Sequence, residues 1–312
     1  MKITLSRERF PLRVPFTISR GTRTHAEVLR VVVEKEGRCG IGECTPYPRY
    51  GESFESVEAE ILSVADQLID RQQLQSLLPP GAARNALDAA LWRLESELSY
   101  PENFQCVTAL TVSLNTPMAM AKQAKEYVEQ GAQLLKVKLD GEAVYARMLA
   151  VREAAPSARI VVDANEAWSE LDLVETFSQM ASLGVEMIEQ PLPANHDALL
   201  AEMPHPVKLC ADESCHSRQE LDALAGRYEM INIKLDKTGG LTEALLLAQA
   251  ARERGLEVMM GCMLGSSLAM EMAVPIAKDA VVVDLDGPAL LTHEDWNLFD
   301  YHHGVMSVAK TN

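Results

Sequence analysis

The sequence predicts an α/β protein: a closed barrel of eight parallel strands preceded by a smaller α+β unit. Three observations carry this. From about residue 107 onward, short β-branched apolar runs recur every 22–27 residues. The segments between them carry helical patterning, and several end in glycine. The first hundred residues break that rhythm, with strand-like runs first and helical runs after them.

Taken in order, strands are expected over about 3–10, 28–34 and 40–44, the last two separated by a turn at Gly37. With no helix between them, they form an antiparallel meander. Helical patterns follow over about 53–70 and 82–98; in the second, Ala86, Ala90, Leu94 and Leu98 recur every four residues. Barrel strands are expected at 107–114, 134–139, 160–164, 185–190, 207–212, 231–235, 256–262 and 280–285. Helical segments rich in Ala, Leu, Glu and Arg lie between them, as at 118–130, 142–154 and 242–254. Gly131, Gly184 and Gly255 stand where a helix C-terminus needs a left-handed residue. Alternating strands and helices imply right-handed crossovers, and eight such strands imply closure.

Composition narrows the function classes. The 312 residues hold 45 Asp and Glu against 29 Lys and Arg, a net charge of −16. That excess argues against coating nucleic acid or an anionic membrane, which both need clustered basic charge. No run of about 18 apolar residues offers a membrane span. The N-terminus has no apolar core of the kind a secretion signal needs. Six scattered cysteines without a CxxC pair do not suggest a disulfide framework, so a cytoplasmic location is expected.

Chemistry in such barrels sits at the C-terminal strand ends. Asp163, Glu189 and Asp212 take that position on three successive predicted strands. Converging carboxylates repel one another unless a cation lies among them, and all-oxygen ligation suits Mg²⁺. Asn165 and Glu213 lie beside them as supporting groups or an alternate ligand. Lys136 and Lys138, two apart on a strand, share the barrel-facing side; Lys234 takes the matching place four strands on. Lysines on opposite barrel faces allow a proton next to a carboxylate to leave from one side and return from the other. That is racemisation or epimerisation, with Lys136 as added positive charge and with a base lysine whose pKa is lowered by neighbouring cations. Asp284 and Asp286, two apart after the eighth strand, suggest a clamp for a substrate ammonium. Arg20 and Arg23, on a glycine-containing loop of the first unit, suggest a grip on a substrate carboxylate.

The motifs Lys136-Val137-Lys138, Asp163-Ala164-Asn165, Glu189-Gln190-Pro191, Asp212-Glu213-Ser214 and Asn232-Ile233-Lys234 resemble the enolase superfamily in its muconate-lactonizing branch. The lysine base with Mg²⁺ is the recognised pattern of that superfamily. The resemblance implies a (β/α)7β barrel of the TIM type over 106–293 and an α+β capping domain over 1–105, joined by 294–312. It implies one Mg²⁺ per subunit on Asp163, Glu189 and Asp212. Asp284-Leu285-Asp286 is similar to the motif by which dipeptide epimerases hold an α-ammonium group. The stretches 18–23, 42–52, 234–240 and 262–264 resemble bacterial L-Ala-D/L-Glu epimerases, where the arginine matching Arg23 meets the glutamate side chain. The expected reaction is therefore interconversion of L-Ala-D-Glu, a murein-peptide fragment, and L-Ala-L-Glu. The expected partner is a small dipeptide, with neither nucleic acid nor membrane, and the sequence is compatible with a homo-oligomer. The segment 99–108 looks short for the family.

Other readings are weaker. Another muconate-lactonizing-type reaction, such as N-acylamino-acid racemisation, o-succinylbenzoate synthesis or cycloisomerisation, leaves Asp284 and Asp286 without an ammonium. A dipeptide epimerase of different specificity keeps them. A catalytically silent binding barrel is disfavoured by the complete set of lysines and carboxylates. A zinc site at Cys210, Cys215 and His216 has no standard spacing. A phosphate cradle at Gly239-Gly240 sits after the wrong strand. Met259, Met260 and Met263 suit core filling.

Overall fold

The computed structural model describes residues 1–309 apart from positions 69 and 97. The last three positions of the expected 294–312 segment thus lie outside the described residues. The chain opens with β1 (Lys2–Ile18), β2 (Gly21–Lys35) and β3 (Arg38–Cys44), an antiparallel sheet in the order β1-β2-β3. β1 runs well past the strand expected at 3–10, because β2 keeps pairing with it up to Ile18↔Gly21 across an irregularity between Pro11 and Phe16. Arg23 therefore lies in a strand, opposite Phe16, and not in a loop as the sequence suggested.

Three helices cover one face of this sheet: α1 (Phe54–Val64), α2 (Arg71–Leu77) and α3 (Ala82–Leu94). Ser53 starts α1 with a reciprocal capping box to Ser56, and Asp70 caps α2. The Ala-rich α3 lies unusually close to β3. A Cβ at Gly40 would fall 1.9 Å from the Ala90 carbonyl oxygen, and one at Gly42 the same distance from that of Ala86. The unit's core packs Leu29, Val31 and Val33 against Ile61, Leu74, Leu87 and Leu91.

After β4 (Gln105–Val107) come the barrel strands β5 (Leu110–Val112), β6 (Leu134–Lys138), β7 (Arg159–Asp163), β8 (Met187–Glu189), β9 (Lys208–Ala211), β10 (Met230–Ile233), β11 (Glu257–Met260) and β12 (Val282–Val283). They form one parallel sheet in sequence order. It closes where the Ala109 N–H donates to the Val283 carbonyl at 2.8 Å. Ala109, Leu134, Val161, Met187, Cys210, Met230, Met259 and Val282 pack together inside, one from each strand or its immediate approach. Cys210 is thus a core residue of the barrel interior.

The outer helices are α4 (Pro117–Glu129), α5 (Val144–Ala154), α6 (Leu173–Ser182), α7 (Leu221–Leu224), α8 (Leu235–Thr238), α9 (Leu241–Glu253) and α10 (Ser267–Ala277). Between β8 and β9 a 3₁₀ turn, Ala198–Glu202, replaces an α-helix. No α-helix follows β12 among the described residues. Leu291 instead bridges to Leu12 of β1, and β13 (Phe299–His302) with β14 (Val305–Val308) pairs antiparallel with β4. No described helix is long and apolar enough to cross a membrane.

Candidate active site

Strand register brings the charged residues into one row. Lys138 pairs with Asp163, Asp163 with Glu189, and Glu189 with Cys210, two residues before Asp212. The row lies at the C-terminal ends of β6 to β9. Leu135, Val137 and Leu139 pack outward into the core between sheet and helices. The side chains of Lys136 and Lys138 therefore point inward. Just past the strand ends, Asn165, Glu166 and Gln190 all adopt positive φ. Two successive rim turns are held away from ordinary backbone geometry, as functional sites often are.

The three carboxylates are fully buried and held by ammonium groups. Lys138 Nζ lies 2.5 Å from Asp163 Oδ2, and Lys234 Nζ lies 2.5 Å from Asp212 Oδ2. Lys136 Nζ sits 2.6 Å from Glu189, 2.8 Å from Asp284 and 3.2 Å from Asp163. Two further residues complete the cluster. Lys237, wholly buried, lies 2.8 Å from Asp212 Oδ1, and the Asn232 amide donates to Glu189 Oε1 at 2.7 Å. Lys237 and Asn232 lie inside the recognised motifs, but nothing in their spacing marks them as partners of these carboxylates.

Burial and charge oppose each other here. Burial works against the ionised Asp163 and Asp212, yet the adjacent lysines outweigh it and hold both carboxyls below the usual range. Glu189 is pushed up by burial and by Asp163. Burial pulls Lys136 and Lys234 down, but the carboxylates win and both end raised: Asp284 and Glu189 act on Lys136, Asp212 and Glu189 on Lys234. The lowered lysine expected from the sequence counts a bound metal among the neighbouring cations; among the protein groups by themselves the acids outnumber the cations around Lys136 and Lys234.

The residues fit a hard cation in donor chemistry. Three buried carboxylates end adjacent strands, and Glu189 Oε2 and Asp212 Oδ1 meet no donor beyond the ammonium groups of Lys136 and Lys237. Among the described residues no three His, Cys, Asp or Glu side chains form a ready-made cage; the ammonium groups lie between the acids. Cys210, Cys215 and His216 form none either, and His216 packs edge-on to Tyr50 at 4.6 Å.

Above the row opens a cavity of about 500 Å³ between barrel and cap. Lys136, Lys138, Lys234 and Asp212 form its floor, with Asp163 and Glu189 hidden beneath. Asp284, Asp286 and Arg23 line its walls, as does Met263, which is therefore not core filling. Asp284 Oδ1 is buried without a hydrogen-bond partner. Asp286 accepts from the Thr111 N–H at 2.9 Å, and burial next to Asp284 pushes it up to about 7.

The two cap arginines differ. Arg20 is committed to Glu213 at 2.8 Å, to Glu166 at 3.3 Å and to the Tyr47 hydroxyl. Burial beside Asp212 nevertheless pushes Glu213 up to about 8. Arg23 stacks over the Tyr47 ring at 5.7 Å and has no carboxylate partner among the described residues. It is half-buried and lines the cavity.

A cap, an acid-ended barrel with three inward lysines and a cavity between them define the class. The chain belongs to the mandelate racemase / muconate lactonizing enzyme family: the N-terminal domain of that family matches residues 1–98, and the enolase C-terminal domain-like family matches 119–309. It is an isomerase. The L-Ala-D/L-Glu epimerase of Escherichia coli K12 is 51% identical over 91% of this chain and 92% of its own. The N-acetyl-D-glutamate racemase of a Pseudoalteromonas species is 43% identical over 90% and 92%. Among solved structures, an enolase family member from Agrobacterium tumefaciens with homology to dipeptide epimerases superposes with a TM-score of 0.94. It is 46% identical, covers 99% of this chain and 98% of its own, and holds sodium and L-Ala-L-Glu.

Proposed function

We propose that this protein interconverts L-Ala-D-Glu and L-Ala-L-Glu by moving the proton on the glutamate α-carbon from one face to the other. The observation that carries this is the pairing of Lys138 and Lys234 at the two flanks of one carboxylate row, both lining one cavity. Supporting it are the likeness to the Escherichia coli epimerase and to the structure holding L-Ala-L-Glu.

In this reading Asp163, Glu189 and Asp212 hold one Mg²⁺. When bound, Mg²⁺ supplies a Lewis acid that polarises the substrate carboxylate and acidifies its α-proton. Lys136 adds a fixed positive charge where the enolate develops. Lys234 takes the proton from L-Ala-L-Glu and Lys138 takes it from L-Ala-D-Glu. After each removal the opposite lysine returns a proton to the other face. Asp284, through its unpartnered Oδ1, and Asp286 hold the ammonium of the N-terminal residue, since a buried lone pair gains most from a charged donor. Arg23 meets the glutamate side chain. A dipeptide of this kind fits murein peptide recycling in the cytoplasm, and the six free cysteines suit a reducing compartment.

The Pseudoalteromonas relative makes N-acetylglutamate racemisation the second reading. An acylated nitrogen carries no charge, so it leaves Asp284 Oδ1 buried and unsatisfied. The two readings separate in D₂O with Mg²⁺ by mass spectrometry. Lys138→Ala is expected to exchange only the α-proton of L-Ala-L-Glu, and Lys234→Ala only that of L-Ala-D-Glu, neither with inversion. Exchange of both epimers by either variant would overturn the two-base mechanism. Turnover of N-acetylglutamate equal to that of the free dipeptide would overturn the substrate assignment.

A further inference from the structure

Gly239 and Gly240 follow α8 and start α9, and the reaction described above has no use for them. Both are left-handed, at φ +83° and +103°. Both also lie where a side chain has no room. A Cβ on Gly239 would fall 2.4 Å from the Arg84 guanidinium, and one on Gly240 2.5 Å from the Asp88 carboxylate. The groups that fill this space come from one face of the cap helix α3.

That face meets the 235–242 turn residue by residue. The Asn85 amide donates to Asp236 Oδ1 at 3.0 Å, which also accepts from the Thr45 N–H at 2.8 Å. Arg84 donates to the Thr238 carbonyl at 2.8 Å and to that of Gly239 at 3.1 Å, covering the C-terminal end of α8. Gly240 has no side chain to cap α9, and Asp88 accepts the Thr242 N–H at 3.0 Å in its place. The Trp92 indole N–H donates to Thr242 Oγ1 at 3.0 Å. Arg84, Asn85 and Asp88 are all buried. A helix that buries three polar residues against one turn is locked to that turn.

The turn starts at Lys234, which immediately precedes α8, and it carries Lys237 as well. Lys138 stands on β6 instead, and the cap touches it through Phe16, 6.0 Å from its ammonium, not through α3. We infer that α3 of the cap is the element that positions Lys234, with Asn85 and Trp92 as positioning residues acting through the 235–242 turn. The gripping is one-sided: it governs one face of the substrate α-carbon. This rests on the two-base reading above.

The experiment compares α-proton exchange of L-Ala-L-Glu and L-Ala-D-Glu in D₂O, each started from the pure epimer, with the magnesium-loaded enzyme. The epimer that Lys234→Ala fails to exchange defines the Lys234 face. Asn85→Ala is expected to slow exchange on that face about tenfold or more, since sub-ångström misplacement of a base is costly, and to leave the other epimer close to wild type. Trp92→Phe keeps an aromatic ring, smaller than the indole, and loses the hydrogen bond to Thr242, and is expected to slow the same face about fivefold. Should Asn85→Ala fail to fold, Trp92→Phe decides alone. Equal slowing of both epimers, or of neither, overturns the inference while leaving the two-base mechanism standing. A wild-type enzyme that exchanges neither epimer overturns that mechanism, and this inference with it.

Discussion

Arg23 and Glu189 show how single side chains divide the work. Arg23 is held against Tyr47 but paired with no acid among the described residues, so its charge is available to an anionic side chain in the cavity. Arg23→Ala is expected to lower kcat/KM for L-Ala-L-Glu about 10- to 100-fold, the range of one charge-assisted hydrogen-bond pair, and to leave L-Ala-L-Leu nearly unchanged. Equal losses on both substrates would show that Arg23 serves the hairpin and not the ligand. Glu189 has a raised carboxyl, and its Oε2 meets only the Lys136 ammonium. Saturating Mg²⁺ at about 100 times Kd is expected to raise the melting temperature by about 4 °C, and Glu189→Gln to abolish that shift. A Mg²⁺ shift retained in the Gln variant would remove Glu189 from the ligand set.

At the scale of elements, the close approach of α3 to β3 has the largest consequence. The Cβ of an alanine at position 42 would lie 1.9 Å from a helix carbonyl oxygen, a backbone atom with nowhere to move except with the whole helix. Gly42→Ala is therefore expected to cost about 3 kcal/mol, read as a lower urea midpoint at an unchanged slope. A neutral result would show that α3 can lift from the sheet without loss. Lifting α3 also moves Arg84, Asn85 and Asp88, so the packing of this glycine reaches the far side of the cap.

Across the whole molecule, cap and barrel meet over buried acids. Asp236 is pushed up to about 7, first by burial; the Thr45 N–H and Asn85 amide pull it down, and the charges of Glu52 and Glu43 push it up again. Its folded value thus lies above the ordinary one near 4. The stabilisation of its protonated form is complete below about pH 4 and is lost as pH rises to about 7. Wild type is expected to lose on the order of 2–4 kcal/mol from this group between pH 4.5 and 8. Asp236→Asn keeps the acceptor for Thr45 and Asn85 and is expected to flatten that part of the profile. Identical pH–stability curves for the two proteins would show that Asp236 stays ionised throughout.

The barrel was legible because its signals are local. A β-branched run, a helix and a glycine recur with a short period, and each barrel strand places alternate residues inward whatever surrounds it. Carboxylates at strand ends and lysines two apart on one strand could be read in the same way, from position along a single element. The boundaries we propose, 1–105 and 106–293, rest on the same change in rhythm. What partners each charge has depends on groups far apart in sequence, and no local pattern encodes that. Arg20 and Arg23 are equivalent in the sequence; only the fold gives Arg20 to Glu213 and Glu166 and leaves Arg23 over the cavity. Asn85 and Asp88 read as ordinary polar positions on an Ala-rich helix until the barrel turn at 235–242 closes over them. The chemistry of the residues was set by the chain, and their electrostatics by which buried neighbour each one meets, a property of the assembled molecule alone.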